Sequence, residues 1–176
     1  MFFDRFLKPK ATETAGQALY AAAVAQARQP GFYETLATPD TVEGRFELYS
    51  LHVFLLLDRL RRQGDRAADT AQALFDAYVS ALDDALREMG VGDIVMGKKM
   101  RKLGEAFYGR VKSYETALEA MPDSSNLQAL LVRTVYAQGG GEAAPRLADH
   151  ILAQRAALAG QALQRLLDGH VDWTAP

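Results

Sequence analysis

Histidine is the side chain whose charge changes nearest neutral pH, and the 176-residue chain holds three, His52, His150 and His170. His52 stands among leucines, with Leu48 and Leu56 four residues to either side and Glu47 five residues back. A general base needs a positioned partner, and a metal ligand needs companions at helical spacing. Neither surrounds His52, which reads first as a hydrogen-bonded core or groove histidine. His150 beside Asp149 and His170 near the C-terminal end read as surface residues. Asp83, Asp84 and Glu88 resemble one fragment of the aspartate-rich magnesium sites with which isoprenoid-condensing enzymes hold diphosphate. Such sites need two motifs on facing helices, and only one fragment is present. A solvated helix face with Asp84 and Glu88 one turn apart is the simpler reading. The glycines at 90, 92 and 97 do not follow a strand, and no GxSxG, HExxH or P-loop pattern occurs. Cysteine is absent, which excludes disulfides and thiolate chemistry and fits a reducing compartment. Catalytic residues, metal ligands and cofactors are therefore assigned as none, and the chain reads as a non-enzyme.

Charge gives a stronger signal than catalysis. The net is only −2, yet residues 65–93 carry seven acids against Arg66 and Arg87. Residues 98–112 carry Lys98, Lys99, Arg101, Lys102, Arg110 and Lys112 against Glu105. A basic cluster of this kind meets phospholipid headgroups, RNA phosphates or an acidic protein segment, or else it complements the acidic helix beside it. A slightly acidic chain without an RNA-binding motif argues against nucleic acid as a specific partner. Met89, Met96 and Met100 gather at the glycine break between the two charge blocks. Flexible, polarizable methionines there suit either the floor of an apolar groove or the core. Asp83, Glu88, Lys98 and Lys99 would rim such a groove.

These residues must be positioned by helices. Ala and Leu number 53 against 12 for Val and Ile, a bias toward side chains that lose little freedom in a helix. No proline lies between Pro39 and Pro122, and no useful stretch alternates with period 2. The spacing predicts helices over about 14–28, 41–63, 66–89, 94–120, 122–137 and 145–168, with a short turn at 32–37. Asp40 and Glu43 have capping-box spacing, and Asp65 and Asp93 are further cap candidates. The 41–63 helix is apolar nearly all round and should be central. The expected architecture is all-α, a single bundle of about six helices with short loops.

Two units are expected, an arm over 1–13 and one helical domain over 14–174. In the arm, Phe2, Phe3, Phe6 and Leu7 with Arg5, Lys8 and Lys10 suit either packing on the domain or resting in a headgroup layer. The longest unbroken run of large apolar side chains is Val53 to Leu57, far below the ~20 residues of a spanning helix, and no secretory signal is apparent.

The stretch from Tyr20 to Tyr114 resembles the ubiquinol–cytochrome c chaperone family. The resemblance is carried by Pro30–Tyr33, Pro39–Phe46, Leu51-His52, Gln72–Asp76 and Leu86–Gly109, above all by LREMGVGD followed by GKKMRKLGEAFYGR. It implies an all-helical, non-enzymatic assembly factor of the bc1 complex that holds newly made cytochrome b, helps its maturation around haem insertion and hands it on. A transit peptide is not apparent, which suggests a bacterial-type relative working on the cytoplasmic side, peripheral at the inner membrane. The resemblance offers no catalytic residues. It places shared positions at Arg45, His52, Asp76, Asp83, Arg87, Glu88, Asp93, Lys98, Lys99 and Arg110, to which the residues themselves add Met89, Met96 and Met100 as partner-binding candidates. A ribosome or membrane-surface contact is an added expectation, and no small-molecule substrate is expected. The alternative from another class is an all-helical protein that binds or converts an isoprenoid, quinone or haem on its aspartate-rich face.

Overall fold

The computed structural model describes residues 11–176, so the aromatic and basic positions 2–10 of the expected arm lie outside the described residues. The chain forms α1 (Ala11–Ala27), α2 (Pro30–Glu34), α3 (Val42–Leu60), α4 (Asp65–Glu88), α5 (Asp93–Glu119), α6 (Ser125–Arg133), α7 (Ala144–Gly160) and α8 (Leu163–Leu167). One 3-10 turn spans Gly141–Ala143, and no strand occurs among the described residues. The architecture is the expected all-α bundle. Its six longer helices correspond to the six read from the sequence; α2 is a short piece between α1 and α3, and α8 a short piece after α7.

The helix ends follow local chemistry, sometimes by a residue other than the expected one. Thr41, rather than Asp40, caps α3, its Oγ1 accepting the Gly44 N–H at 3.1 Å. Asp40 instead accepts from Arg45 Nε at 2.6 Å. Asp65 and Asp93 are the first residues inside α4 and α5, where a carboxylate favours the positive end of the helix dipole, and Gly64 and Gly92 hold the cap positions. The expected 145–168 helix is broken at Gln161, whose extended backbone ends α7. The expected 122–137 helix ends at Arg133 and continues as turns, with Val135 and Tyr136 still buried.

Helix α3 is central because it has no polar face to leave in water. Leu48, Leu51, Val53, Phe54, Leu55 and Leu56 are all buried. It packs against α1, α4, α5 and α7. Its buried polar groups are paired, Ser50 Oγ with Tyr78 OH at 2.9 Å and His52 Nδ1 with the Leu48 carbonyl at 2.7 Å. Helix α1 lies against α4 so tightly that a side chain on Gly16 would stand 2.5 Å from backbone atoms of Ala73 and Leu74. The C-terminal segment closes the far side. Gln26 Nε2 donates to the Thr174 carbonyl at 2.7 Å, Gln154 Oε1 accepts the Thr174 N–H at 2.8 Å, and the Trp173 ring lies edge-on to His52 at 5.3 Å.

Candidate functional site

The candidate site is the α4–α5 hairpin, and its position follows from register. Glu47 on α3 meets Arg110 on α5, and Phe54 stacks on Tyr114 with ring centroids 5.0 Å apart. Both contacts progress in the same direction along the two helices, so the start of α3 lies toward the N-terminal half of α5. The last turn of α4 and the first turn of α5 form the tip of the hairpin.

Apolar side chains at this tip are exposed. Met89 is 59% exposed, Ile94 100% and Val95 46%, all at the turn between the two helices. A contiguous apolar patch on a small protein marks a contact surface more often than a lone exposed leucine does. Beyond it, Lys98 and Lys99 are exposed, and neither pairs with a carboxylate among the described residues. Among the described residues no acid of α4 forms a close ion pair with a base of α5. The ion pair between the two helices has the opposite sense: Arg87 of α4 donates to Asp93 of α5 at 2.8 Å and also to Asp83 one turn back at 2.7 Å. This clamp sets the angle at which the glycine-containing turn leaves α4. Gly90, with φ of +79°, turns the backbone there, and its N–H donates to the Arg87 carbonyl.

At the base of the hairpin, Arg110 donates to both carboxylate oxygens of Glu47, at 2.7 and 2.8 Å. Glu47 is buried and Arg110 half-buried, and the hydrogen bonds to Glu47 hold the guanidinium firmly protonated. A bidentate pair between planar groups fixes geometry as well as charge.

The structure gathers Asp83, Arg87, Glu88, Met89, Asp93, Met96, Lys98, Lys99 and Met100 on the hairpin, and Arg110 at its foot. It does not gather them all on one surface. Met96 is buried and Met100 half-buried, so of the three expected floor methionines only Met89 faces solvent, because α4 and α5 close on each other past the turn. Arg45 is near the start of α3, occupied with Asp40, and Asp76 lies on the outer face of α4, bonded to Gln72 at 2.7 Å. His52 lies in the core at 1% exposure, where a partner would not reach it. Burial holds its pKa down at about 4, against an ordinary 6.5. His150, read as a surface residue, is also tucked in. Its ring lies 5.3 Å from Phe32, and burial lowers its pKa. Ile94 and Val95 escaped the sequence reading. The available signal was an isoleucine two residues before Met96, hence on the opposite side of the same helix.

Among the described residues, no three histidine or carboxylate side chains converge as a metal site, and no helix is long and apolar enough to cross a membrane.

Comparison with known proteins adds a lineage to this geometry. A family model described as Ubiquinol-cytochrome C chaperone matches residues 34–173. The chain is 23% identical over 117 residues to ubiquinol-cytochrome-c reductase complex assembly factor 1 of Xenopus laevis, covering 66% of this chain and 58% of that protein. It is 24% identical over 120 residues to the assembly factor 1 of Mus musculus, covering 68% of this chain and 40% of that one. The chain thus matches about half the length of these relatives. The crystal structure of the Cbp3 homolog from Brucella abortus superposes with a TM-score of 0.84 at 35% identity, over 99% of this chain and 97% of that one.

Proposed function

The chain belongs to the ubiquinol-cytochrome C chaperone family, and from that premise we propose that it holds newly synthesised cytochrome b during assembly of the ubiquinol–cytochrome c reductase complex. A protein that receives a polytopic membrane client must show apolar surface before lipid does, and must release it afterwards. The observation that carries the reading is the hairpin tip: Met89, Ile94 and Val95 lie open to solvent beside the unpaired Lys98 and Lys99. The apolar side chains supply contact area. The lysines speed encounter and fix register more than they add affinity. The family is one of assembly chaperones, and the tip needs no bond-making step to serve that role.

The same tip suits a peripheral position at the cytoplasmic face of the inner membrane, where protruding apolar groups enter the headgroup layer and lysines meet lipid phosphates. Holding the client close to the bilayer shortens its transfer.

Affinity capture from native membranes tests the proposal. Cytochrome b should come down with the wild-type protein, and capture should fall about tenfold when Lys98→Glu and Lys99→Glu are combined, while the thermal midpoint stays unchanged. Undiminished capture by the double variant, or normal cytochrome b accumulation in a strain lacking the protein, would overturn it.

A further inference from the structure

At the opposite end of α3 two grooves meet. One lies between α4 and α5, with a volume of about 420 Å³ and walls that include Phe54, Leu57, Phe75, Phe107 and Tyr108. The other lies between α3 and α7, about 890 Å³, over Leu55, Leu152, Ala156 and Met121. Arg61 and Arg62 line both. Together the grooves are bordered by four guanidiniums, those of Arg59, Arg61, Arg62 and Arg155, against two carboxylates, Asp58 and Glu115.

Three of those arginines are occupied by the fold. Arg59 donates to the Leu158 and Gln161 carbonyls at 2.8 and 3.0 Å, finishing the C-terminal end of α7. Arg61 and Arg155 share the nearly buried Asp58, at 2.9 and 2.7 Å, and Arg61 also bonds Glu115. Both carboxylates are thereby used. Arg62 remains exposed and pairs with no group among the described residues. Its backbone is left-handed, with φ of +60°, a conformation that disfavours any side chain and that glycine would adopt freely. The fold tolerates that strain at the one position where a free guanidinium stands over both grooves.

We propose that this trough seats an amphipathic helix of a protein partner, its apolar face against Tyr108 and the half-buried Phe75 and a carboxylate on Arg62. Phe75 packs on the buried Phe107 and on Tyr108, each with ring centroids 5.5 Å apart, and Tyr108 leaves 62% of its surface open to a ligand. Aromatic rings beside arginine are the composition that dominates binding energy at protein interfaces. An open trough between helices admits a helix along its length. The surplus of guanidinium over carboxylate selects an acidic edge. The site is separate from the hairpin tip, so its failure would leave the cytochrome b reading untouched.

The test uses the full chain and two synthetic helical peptides, one with leucine on one face and glutamate on the other, and its glutamine counterpart. Wild type should bind the glutamate peptide about fivefold or more tightly than the glutamine one. Arg62→Gly should erase that discrimination while the thermal midpoint holds or rises, since glycine relieves the left-handed strain. Tyr108→Ala, at an exposed position, should weaken both peptides equally. Equal binding of both peptides by wild type, or discrimination that survives Arg62→Gly, overturns the proposal. So does Arg62-dependent binding to phosphatidylglycerol vesicles without peptide discrimination, which would give the arginine to lipid.

Discussion

At the scale of single residues, burial decides chemistry more than residue type does. His52 has the composition of a switch and the environment of a core side chain. Its ring lies between Phe32 at 5.1 Å and Trp173 at 5.3 Å, and burial depresses its pKa to about 4. His150 is shifted the same way by the same cause. A histidine that resists protonation when folded binds protons more readily in the unfolded chain. Its contribution is therefore fully present above about pH 6.5 and is lost as pH falls toward about 4. Taking the chain from pH 7 to pH 5 should cost roughly 2 kcal/mol through His52 alone. Denaturant titrations at the two pH values measure this, and His52→Gln should flatten the difference. Equal stability at both pH values in wild type would show that His52 titrates as it does in water. His52 was legible in the sequence as a residue without a catalytic partner, whereas its depth and its contact with Trp173, 121 positions along the chain, were not.

At the scale of elements, α5 holds together an apolar stripe and three glycines that its length would seem to forbid. A side chain added at Gly97, Gly104 or Gly109 meets nothing within 4 Å, so these glycines serve no close approach inside the chain. Each weakens the helix through backbone entropy. Gly97→Ala and Gly104→Ala should each raise stability by about 0.5–1 kcal/mol. Gly16→Ala, by contrast, must displace α1 from the α4 backbone and should destabilise by more than that gain. Thermal melts of the three single variants distinguish the cases, and a destabilised Gly97→Ala would mean that α5 packs differently. The helices themselves were readable because Leu and Ala recur with helical period. Their ends were less so, since Thr41 and Asp40 compete for one cap and only the tertiary pairing of Asp40 with Arg45 decides between them.

At the scale of the whole molecule, the C-terminal segment acts as a strap. Residues after α8 bond Gln26 on α1 and Gln154 on α7, and they lay Trp173 against the core of α3. Trp173→Ala should cost about 2–4 kcal/mol, a large loss for a residue three positions from the end of the sequence, and a chemical-denaturation midpoint within error of wild type would refute the strap. The sequence by itself determined the helical class, the central place of α3 and the joining of acids, methionines and lysines at one glycine break. Those follow from propensity and periodicity, which act over neighbouring residues. Only the tertiary structure decided which apolar residues of that break are uncovered. The sequence places Met89, Met96 and Met100 alike at the break, but the packing of α4 on α5 buries Met96 and leaves Met89 open. Periodicity puts Ile94 and Met96 on opposite sides of α5, but which side is covered depends on how α4 and α5 close on each other, and no local pattern encodes that.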